Sequence, residues 1–252
     1  MRFRVVIPAR FGSTRLPGKP LLDIAGAPMI RHVWQRATAS GAQEVLIATD
    51  DERVLSACEG FGATAIMTSS AHASGTDRIA EVAALAEWGE DELVVNVQGD
   101  EPLIPSENIR QVADLLHHRP DAEMATLCTG IRSLDEYLDT NVVKVVRAED
   151  GGALYFSRAP IPWHRDTAPS GIASQSRYRD SLRHIGIYAY RVGALMRLSD
   201  SPQCPLEVAE ALEQLRALWL GYSILADVAV EEPGPGVDTP EGLEHVRSLM
   251  AH

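Results

Sequence analysis

The 252-residue sequence predicts an α/β fold, a mostly parallel but mixed sheet flanked by helices. Three observations predict it. Short β-branched apolar runs alternate with longer stretches of helical period. The run Val94-Val95-Asn96-Val97 stops abruptly in the polar turn Gln98-Gly99-Asp100-Glu101-Pro102, as a buried strand does at a sheet edge. The hydrophobic fraction, 45%, suits one large domain with or without an appended lobe.

The elements follow in order. Residues 3–8, 44–48, 63–67 and 93–98 read as strands, and 28–40, 51–59 and 76–87 as the helices between them. The first helix has Pro28 at its start and Gly41 just past its end, the usual asymmetry of helix termini. Its apolar residues Met29, Ile30, Val33, Trp34 and Ala37 share one face. Such β-α-β alternation implies right-handed crossovers and helices on both faces of the sheet. Beyond Glu101 the order changes. A helix is expected at 105–118, strands at 123–129, 142–147 and 153–156, then a strand at 183–190. A single amphipathic helix at 207–220 carries the stripe Leu206, Ala209, Leu212, Leu215 and Leu218; a strand at 223–230 and a helix at 240–251 close the chain. Residues 157–180 lack periodicity, and a loop of that length in a compact domain is commonly a functional lid.

Composition narrows the function. With 35 acidic and 23 basic residues the formal net charge is −12, which argues against nucleic acid or an anionic membrane as partner. No stretch approaches the run of about 18 apolar residues that spans a bilayer, and the opening residues read as a first strand rather than a signal peptide. Cys58, Cys128 and Cys204 are too few and too far apart for a disulfide framework or a zinc site, so a cytoplasmic setting is expected.

Several segments carry chemistry. Pro8 to Pro20 follows the first strand and holds Arg10, Ser13, Arg15 and Lys19 among two glycines. Turn N–H groups and fixed cations are what a polyphosphate needs; the alternative is a solvated basic loop. It is not a Walker A loop, because five residues separate Gly12 from Gly18 and Pro20 stands where a hydroxyl must bind magnesium. Gly60-Phe61-Gly62-Ala63-Thr64-Ala65 mimics a dinucleotide fingerprint, but it ends a helix and precedes a strand, the reverse of the required context. Asp100 either belongs to an ordinary surface turn or holds a divalent cation at the strand's carboxyl end. Asp238 either caps the helix that Pro240 opens or pairs with Asp100 around that cation. Ser74 and Gly75 either cap the 76–87 helix or meet a nucleotide. His184 and Tyr188 alternate onto one strand face, and Glu207, Glu210 and Gln214 lie close at helical spacing.

Six blocks together resemble one family. ARFGSTRLPGKP (9–20), NVQGDEP (96–102), LYFSRAPIPW (154–163), RHIGIY (183–188), PLEVAEALEQLR (205–216) and GVDTP (236–240) are similar, in order and spacing, to 3-deoxy-manno-octulosonate cytidylyltransferases. The resemblance implies a Rossmann-like nucleotidyltransferase fold in a single domain, 1–252, with a small additional lobe at about 130–200 for sugar binding and dimerisation. It implies a cytoplasmic, Mg2+-dependent homodimer whose substrates are CTP and Kdo. CMP-Kdo, made for lipopolysaccharide, and pyrophosphate would be the products. On this resemblance Arg10, Ser13, Arg15, Lys19, Ser74 and Gly75 bind CTP, and Asp100 and Asp238 bind the metal. Lys19, Arg10 and both aspartates are then the catalytic set, and Gln98, Arg165, His184, Tyr188 and Glu210 contact the sugar, Arg165 through its carboxylate. Val208-Ala209 and the loop 166–179 depart from the family pattern and bear on sugar selectivity. Rival readings are an 8-amino-Kdo or sialic acid cytidylyltransferase, or a catalytically silent nucleotide-binding protein on this fold. The RHIGIY and PLEVAEALEQLR blocks disfavour sialic acid, and retention of Asp100, Asp238, Arg10 and Lys19 disfavours a silent protein.

Overall fold

A computed structural model describes residues 1–12 and 16–251. The chain runs β1 (Arg4–Pro8), β2 (Asp23–Ile24), β3 (Ala27–Pro28), α1 (Met29–Ala39), β4 (Glu44–Thr49), α2 (Glu52–Gly60), β5 (Thr64–Met67), α3 (Gly75–Leu85), β6 (Leu93–Asn96) and α4 (Ser106–His117). It continues through β7 (Met124–Gly130), α5 (Leu134–Leu138), β8 (Lys144–Arg147), β9 (Ala153–Ser157), β10 (Leu182–Arg191) and α6 (Val192–Ser199). The closing elements are α7 (Pro205–Glu210), α8 (Gln214–Trp219), β11 (Ile224–Val228) and α9 (Pro240–Met250).

The main sheet has the order β11-β7-β10-β6-β1-β4-β5. Parallel pairing centres on β1, where Val5 lies between Val45 and Val95. β10 runs antiparallel to β6 and β7 and also pairs β8, which carries β9 outward. This is the mixed, mostly parallel α/β sheet that the alternating pattern predicts. Strand alternation sorts the core into two layers. Val5, Ile7, Val95 and Val97 pack with Ile30, Val33, Ile109 and Val112 on one face. Val6, Val94 and Leu46 pack with Ile79, Val82 and Leu195 on the other. Each such side chain taken fully out of water is worth about 1.5–3 kcal/mol, so the sheet's position is set by many concurrent contributions.

Three departures from the sequence reading have identifiable causes. The helix expected at 207–220 is two short helices, because Ala211 adopts a left-handed conformation with φ 51° and ψ 50°. The apolar stripe continues through the break, with Leu212 and Leu215 both buried, which is why periodicity alone ran across it. Helices α5 and α6 were not anticipated. α6 is apolar on most of its surface, since Val192, Gly193, Ala194, Leu195 and Leu198 are all buried, so it shows little polar alternation. The long 157–180 loop is tied internally. Buried Gln175 accepts hydrogen bonds through Oε1 from the Thr167 hydroxyl at 2.7 Å and from the N–H groups of Ser176 and Arg177. Among the described residues no helix is long and apolar enough to cross a membrane.

Candidate active site

The carboxyl ends of β1, β4 and β6 open on the same edge of the sheet, where ligands bind in open parallel sheets. The loop after β1 crosses this edge and is held on both sides. The Thr49 hydroxyl donates to Ala9 O at 2.7 Å, and Phe11 N–H donates to Asp50 Oδ1 at 3.3 Å. Gly99 must be glycine, because a Cβ there would lie 2.7 Å from Pro8 O. The turn after β6 therefore packs directly on the end of β1.

Asp238 reaches this edge although it lies far along the chain. Val237 is buried against Leu16, Ile24 and Leu243, and its N–H donates to Asp100 O at 2.9 Å. Gly236 passes so close that a Cβ would come within 2.9 Å of Glu101 Oε1. The helix α9 is capped by Thr239, whose side chain accepts from Gly242 N–H, so Asp238 is not the N-cap. Its carboxylate instead turns to Lys19. Lys19 Nζ lies 2.6 Å from Asp100 Oδ2 and 3.0 Å from Asp238 Oδ1. Two hard oxygen donors far apart in the sequence thus converge on one cation position. Beside them, Glu101 is pushed up to about 8, first by burial and then by the charges of Asp100 and Asp238. A neutral Glu101 keeps this corner from carrying three full negative charges.

A cleft of about 360 Å3 opens here, lined by Arg10, Lys19, Ser74, Gly75, Gln98, Asp100 and Asp238 among others. Ser74 is also the N-cap of α3, accepting from Asp77 N–H at 3.2 Å. Buried Arg78, on the first turn of that helix, lines the cleft and donates to Asp50 Oδ2 at 2.9 Å and to the Thr68 hydroxyl. The cleft continues into a second half of about 310 Å3, lined by Asn96, His184, Tyr188, Tyr190, Glu213 and Gln214 among others. Gly75, Gln98 and Glu213 line both halves and mark their junction.

Among the described residues, the second half is lined by no lysine, arginine or aspartate and is rich in hydrogen-bonding groups. Burial pushes His184 down to about 3, so its imidazole is uncharged at neutral pH. The Thr126 hydroxyl lies 2.7 Å from Ile187 O, 3.1 Å from Ile185 O and 3.0 Å from His184 Nε2. Its single hydrogen goes to a carbonyl, which can only accept, so Nε2 carries the ring hydrogen. Nδ1 is then an acceptor. The Tyr188 hydroxyl is buried without a hydrogen-bond partner among the described residues, and burial raises its pKa well above the ordinary value. Glu213 accepts from the Thr76 hydroxyl at 2.7 Å, and burial raises its carboxyl pKa as well.

The structure brings together Arg10, Lys19, Ser74, Gly75, Gln98, Asp100, Asp238, His184 and Tyr188 from the sequence-predicted set. Ser13 and Arg15 lie outside the described residues. Arg165 sits exposed in a short 3-10 turn and lines neither half. Glu210 also lines neither half. Its carboxylate accepts from the Ser157 hydroxyl at 2.6 Å and Arg158 N–H at 2.8 Å. The sequence reading missed Arg78, Asn96, Tyr190, Glu213 and Gln214. Tyr190 is signalled by the period of two that joins it to Tyr188; Glu213 and Gln214 were hidden by the unrecognised break at Ala211.

An open, mostly parallel sheet with a cationic loop and paired carboxylates at its carboxyl edge defines a nucleotide-binding α/β protein of the transferase type. The chain belongs to the cytidylyltransferase family, whose model matches residues 4–224. It is 55% identical over 249 residues to a 3-deoxy-manno-octulosonate cytidylyltransferase of Hahella chejuensis, covering 99% of this chain and 98% of that protein. A Coxiella burnetii protein of the same name is 53% identical over 250 residues, covering 99% and 100% of the two chains. A solved structure of CMP:2-keto-3-deoxy-manno-octonic acid synthetase complexed with CTP superposes with a TM-score of 0.89 at 46% identity, covering 100% of this chain and 99% of that one. A Leptospira borgpetersenii cytidylyltransferase shares the fold, with a TM-score of 0.63 at 19% identity over 100% of this chain and 87% of that one.

Proposed function

We propose that the chain is a 3-deoxy-manno-octulosonate cytidylyltransferase, joining CTP and Kdo to give CMP-Kdo and pyrophosphate for lipopolysaccharide synthesis. The observation that carries this reading is the two-part cleft. A half bearing Arg10, Lys19 and two carboxylates meets, at Gln98, a hydroxyl-rich half that no described lysine or arginine lines. A relative solved with CTP, alike over its full length, supports CTP as the nucleotide substrate, and Arg10 and Lys19 make the first half the side suited to its triphosphate.

The anomeric oxygen of the sugar bonds to the α-phosphorus of CTP, the bond from that phosphorus to the β-bridging oxygen breaks, and pyrophosphate leaves in line. The sugar hydroxyl proton passes to solvent. Arg10 and Lys19 neutralise the triphosphate, and Ser74 and Gly75 meet the nucleoside. Holding both reactants in line supplies much of the acceleration in such transfers. Gln98, at the junction, orients the sugar beside the α-phosphate, and His184 Nδ1 and the Tyr188 hydroxyl hydrogen-bond its hydroxyls.

The convergence of Asp100 and Asp238 on one cation position fits Mg2+, which prefers hard oxygens. Among the described residues no group of three or more metal-ligating side chains occurs, so Asp100 and Asp238 would hold the ion together with substrate oxygens and water. When bound, Mg2+ neutralises phosphate charge and lowers the pKa of the attacking hydroxyl. Lys19 is then free to engage the pyrophosphate.

We further propose a cytoplasmic homodimer, in which the lobe at about 130–200 contributes to sugar binding and to the interface. Leu154, Trp163 and Ile172 within that stretch are exposed apolar side chains that a second copy would cover. Light scattering on the purified protein checks the dimer. The activity is tested by pyrophosphate release with CTP and Mg2+ across Kdo, its 8-amino analogue and sialic acid. Release with Kdo is expected; release only with another sugar reassigns the substrate, and none overturns the reading.

A further inference from the structure

The break between α7 and α8 is built, and it is built from outside the cleft. Ala211 occupies a left-handed conformation that disfavours any residue with a Cβ, so something must hold it. Arg158 does so from the neighbouring strand end. Its Nε donates to Glu210 O at 2.7 Å and its Nη2 reaches Ala211 O at 3.5 Å, satisfying carbonyls that the interrupted helix leaves open. Glu210 answers with its side chain, accepting from the Ser157 hydroxyl and from Arg158 N–H. The clasp is rooted further back. Lys144, fully buried, donates to Arg158 O at 2.7 Å and to the carbonyls of Asp139 and Val142.

The next residues along the chain are the ones that matter to the cleft. Leu212, Glu213 and Gln214 line its second half, and Glu213 is tied across the cleft to Thr76. Had the helix continued at about 100° per residue, residues 213 and 214 would stay on the helix face set by 209 and 210. The break redirects them.

We propose that Glu210 is a positioning residue. With Arg158 it clasps the turn at Ala211 and so sets where Glu213 and Gln214 stand in the sugar half, linking sugar selectivity to a carboxylate that lies outside the cleft. This rests on reading that half as the sugar side. The role is geometric and needs hydrogen-bonding capacity rather than charge. A glutamine at 210 can accept from Arg158 N–H through its oxygen and donate to the Ser157 hydroxyl through its nitrogen.

The test is steady-state kinetics with CTP and Kdo, with pyrophosphate as readout and the fold of each variant checked by near-UV circular dichroism. Glu210→Ala is expected to raise KM for the sugar about tenfold while KM for CTP stays within about twofold, the scale expected when one positioned polar contact is lost. Its discrimination against the 8-amino analogue should narrow. Glu210→Gln is expected to restore KM for the sugar to within about threefold of the wild type. Ser157→Ala, which removes one side of the clasp, gives an intermediate value and serves if Glu210→Ala does not fold. Glu210→Gln as impaired as Glu210→Ala overturns the inference, because the charge itself would then act on substrate. Equal rises in both KM values, or none, overturn it too, leaving a general structural role. Wild-type protein that releases no pyrophosphate with Kdo overturns the proposed function instead, so the two failures are distinct.

Discussion

The two halves of the cleft, proposed to take the nucleotide and the sugar, solve the same problem in opposite ways. In the nucleotide half, Arg10 and Asp238 are exposed and Lys19 and Asp100 are only partly buried. Water reaches these side chains, and Lys19 pairs with both aspartates. In the sugar half, every shifted group moves towards its neutral form: His184 falls to about 3, while Tyr188 and Glu213 rise, all with burial as the first cause. The difference is one of solvent access. An anionic triphosphate is best met by charges that need little desolvation. A polyhydroxylated sugar is best distinguished by neutral donors and acceptors whose partners, if missing, leave buried polar groups unpaired.

The contrast breaks most visibly at the carboxylate pair. Asp100→Asn keeps the side chain's size and removes its charge; turnover should fall by about 100-fold or more, the scale of losing a principal electrostatic contact to a developing charge. Near-normal turnover under limiting Mg2+ would remove Asp100 from the site. Lys19→Ala comes next. It should raise KM for CTP by about tenfold or more and leave KM for the sugar within about twofold, as loss of a charge-assisted contact to one substrate does. A matching rise for the sugar would mean that the halves are not electrostatically separate.

Much of this architecture was legible in the sequence, and the unread parts share a cause. Strands β1, β4 and β6 announce themselves because their central residues are buried on both faces and turns bound them. Strand β5, half-exposed at the sheet edge, is read from its place in the alternation. The nucleotide half was readable for the same reason: its residues sit in short segments directly after those strands. The sugar half depends on a residue whose conformation is set by partners distant in sequence. Nothing local to Ala211 marks it as left-handed, since Arg158 lies 53 positions away from it. Glu210 shows the consequence. The family resemblance implies a sugar contact for it, whereas its carboxylate partners are Ser157 and Arg158. Asp238 was ambiguous from sequence between cap and ligand; the structure gives the cap to Thr239.

The Tyr188 hydroxyl sharpens the contrast on the sugar side. It is buried with no hydrogen-bond partner among the described residues, which ordinarily costs about 1–3 kcal/mol. If the sugar is its partner, Tyr188→Phe should raise KM for the sugar by about five- to tenfold, leave CTP unaffected and slightly stabilise the free protein. An unchanged KM for the sugar with the same gain in stability would show an idle hydroxyl.

The smallest effect is on stability and follows from His184. Its folded-state value, about 3, lies below the ordinary 6.5. Between those values the unfolded chain binds a proton that the folded protein refuses. Stability therefore rises with pH across this window and is lost as pH falls through it. The slope attributable to one such group has an upper limit of about 1.4 kcal/mol per pH unit. Carboxylates titrate in the same range, so the informative quantity is a difference between two proteins. Urea unfolding of wild type and His184→Gln, followed from pH 6.5 down to about 4.5, should give a shallower acid decline for the variant. Parallel declines would mean that His184 accepts its proton in the folded state. The sugar half would then carry a charge in mild acid, and the division between a charged half and a neutral one would hold only near neutral pH.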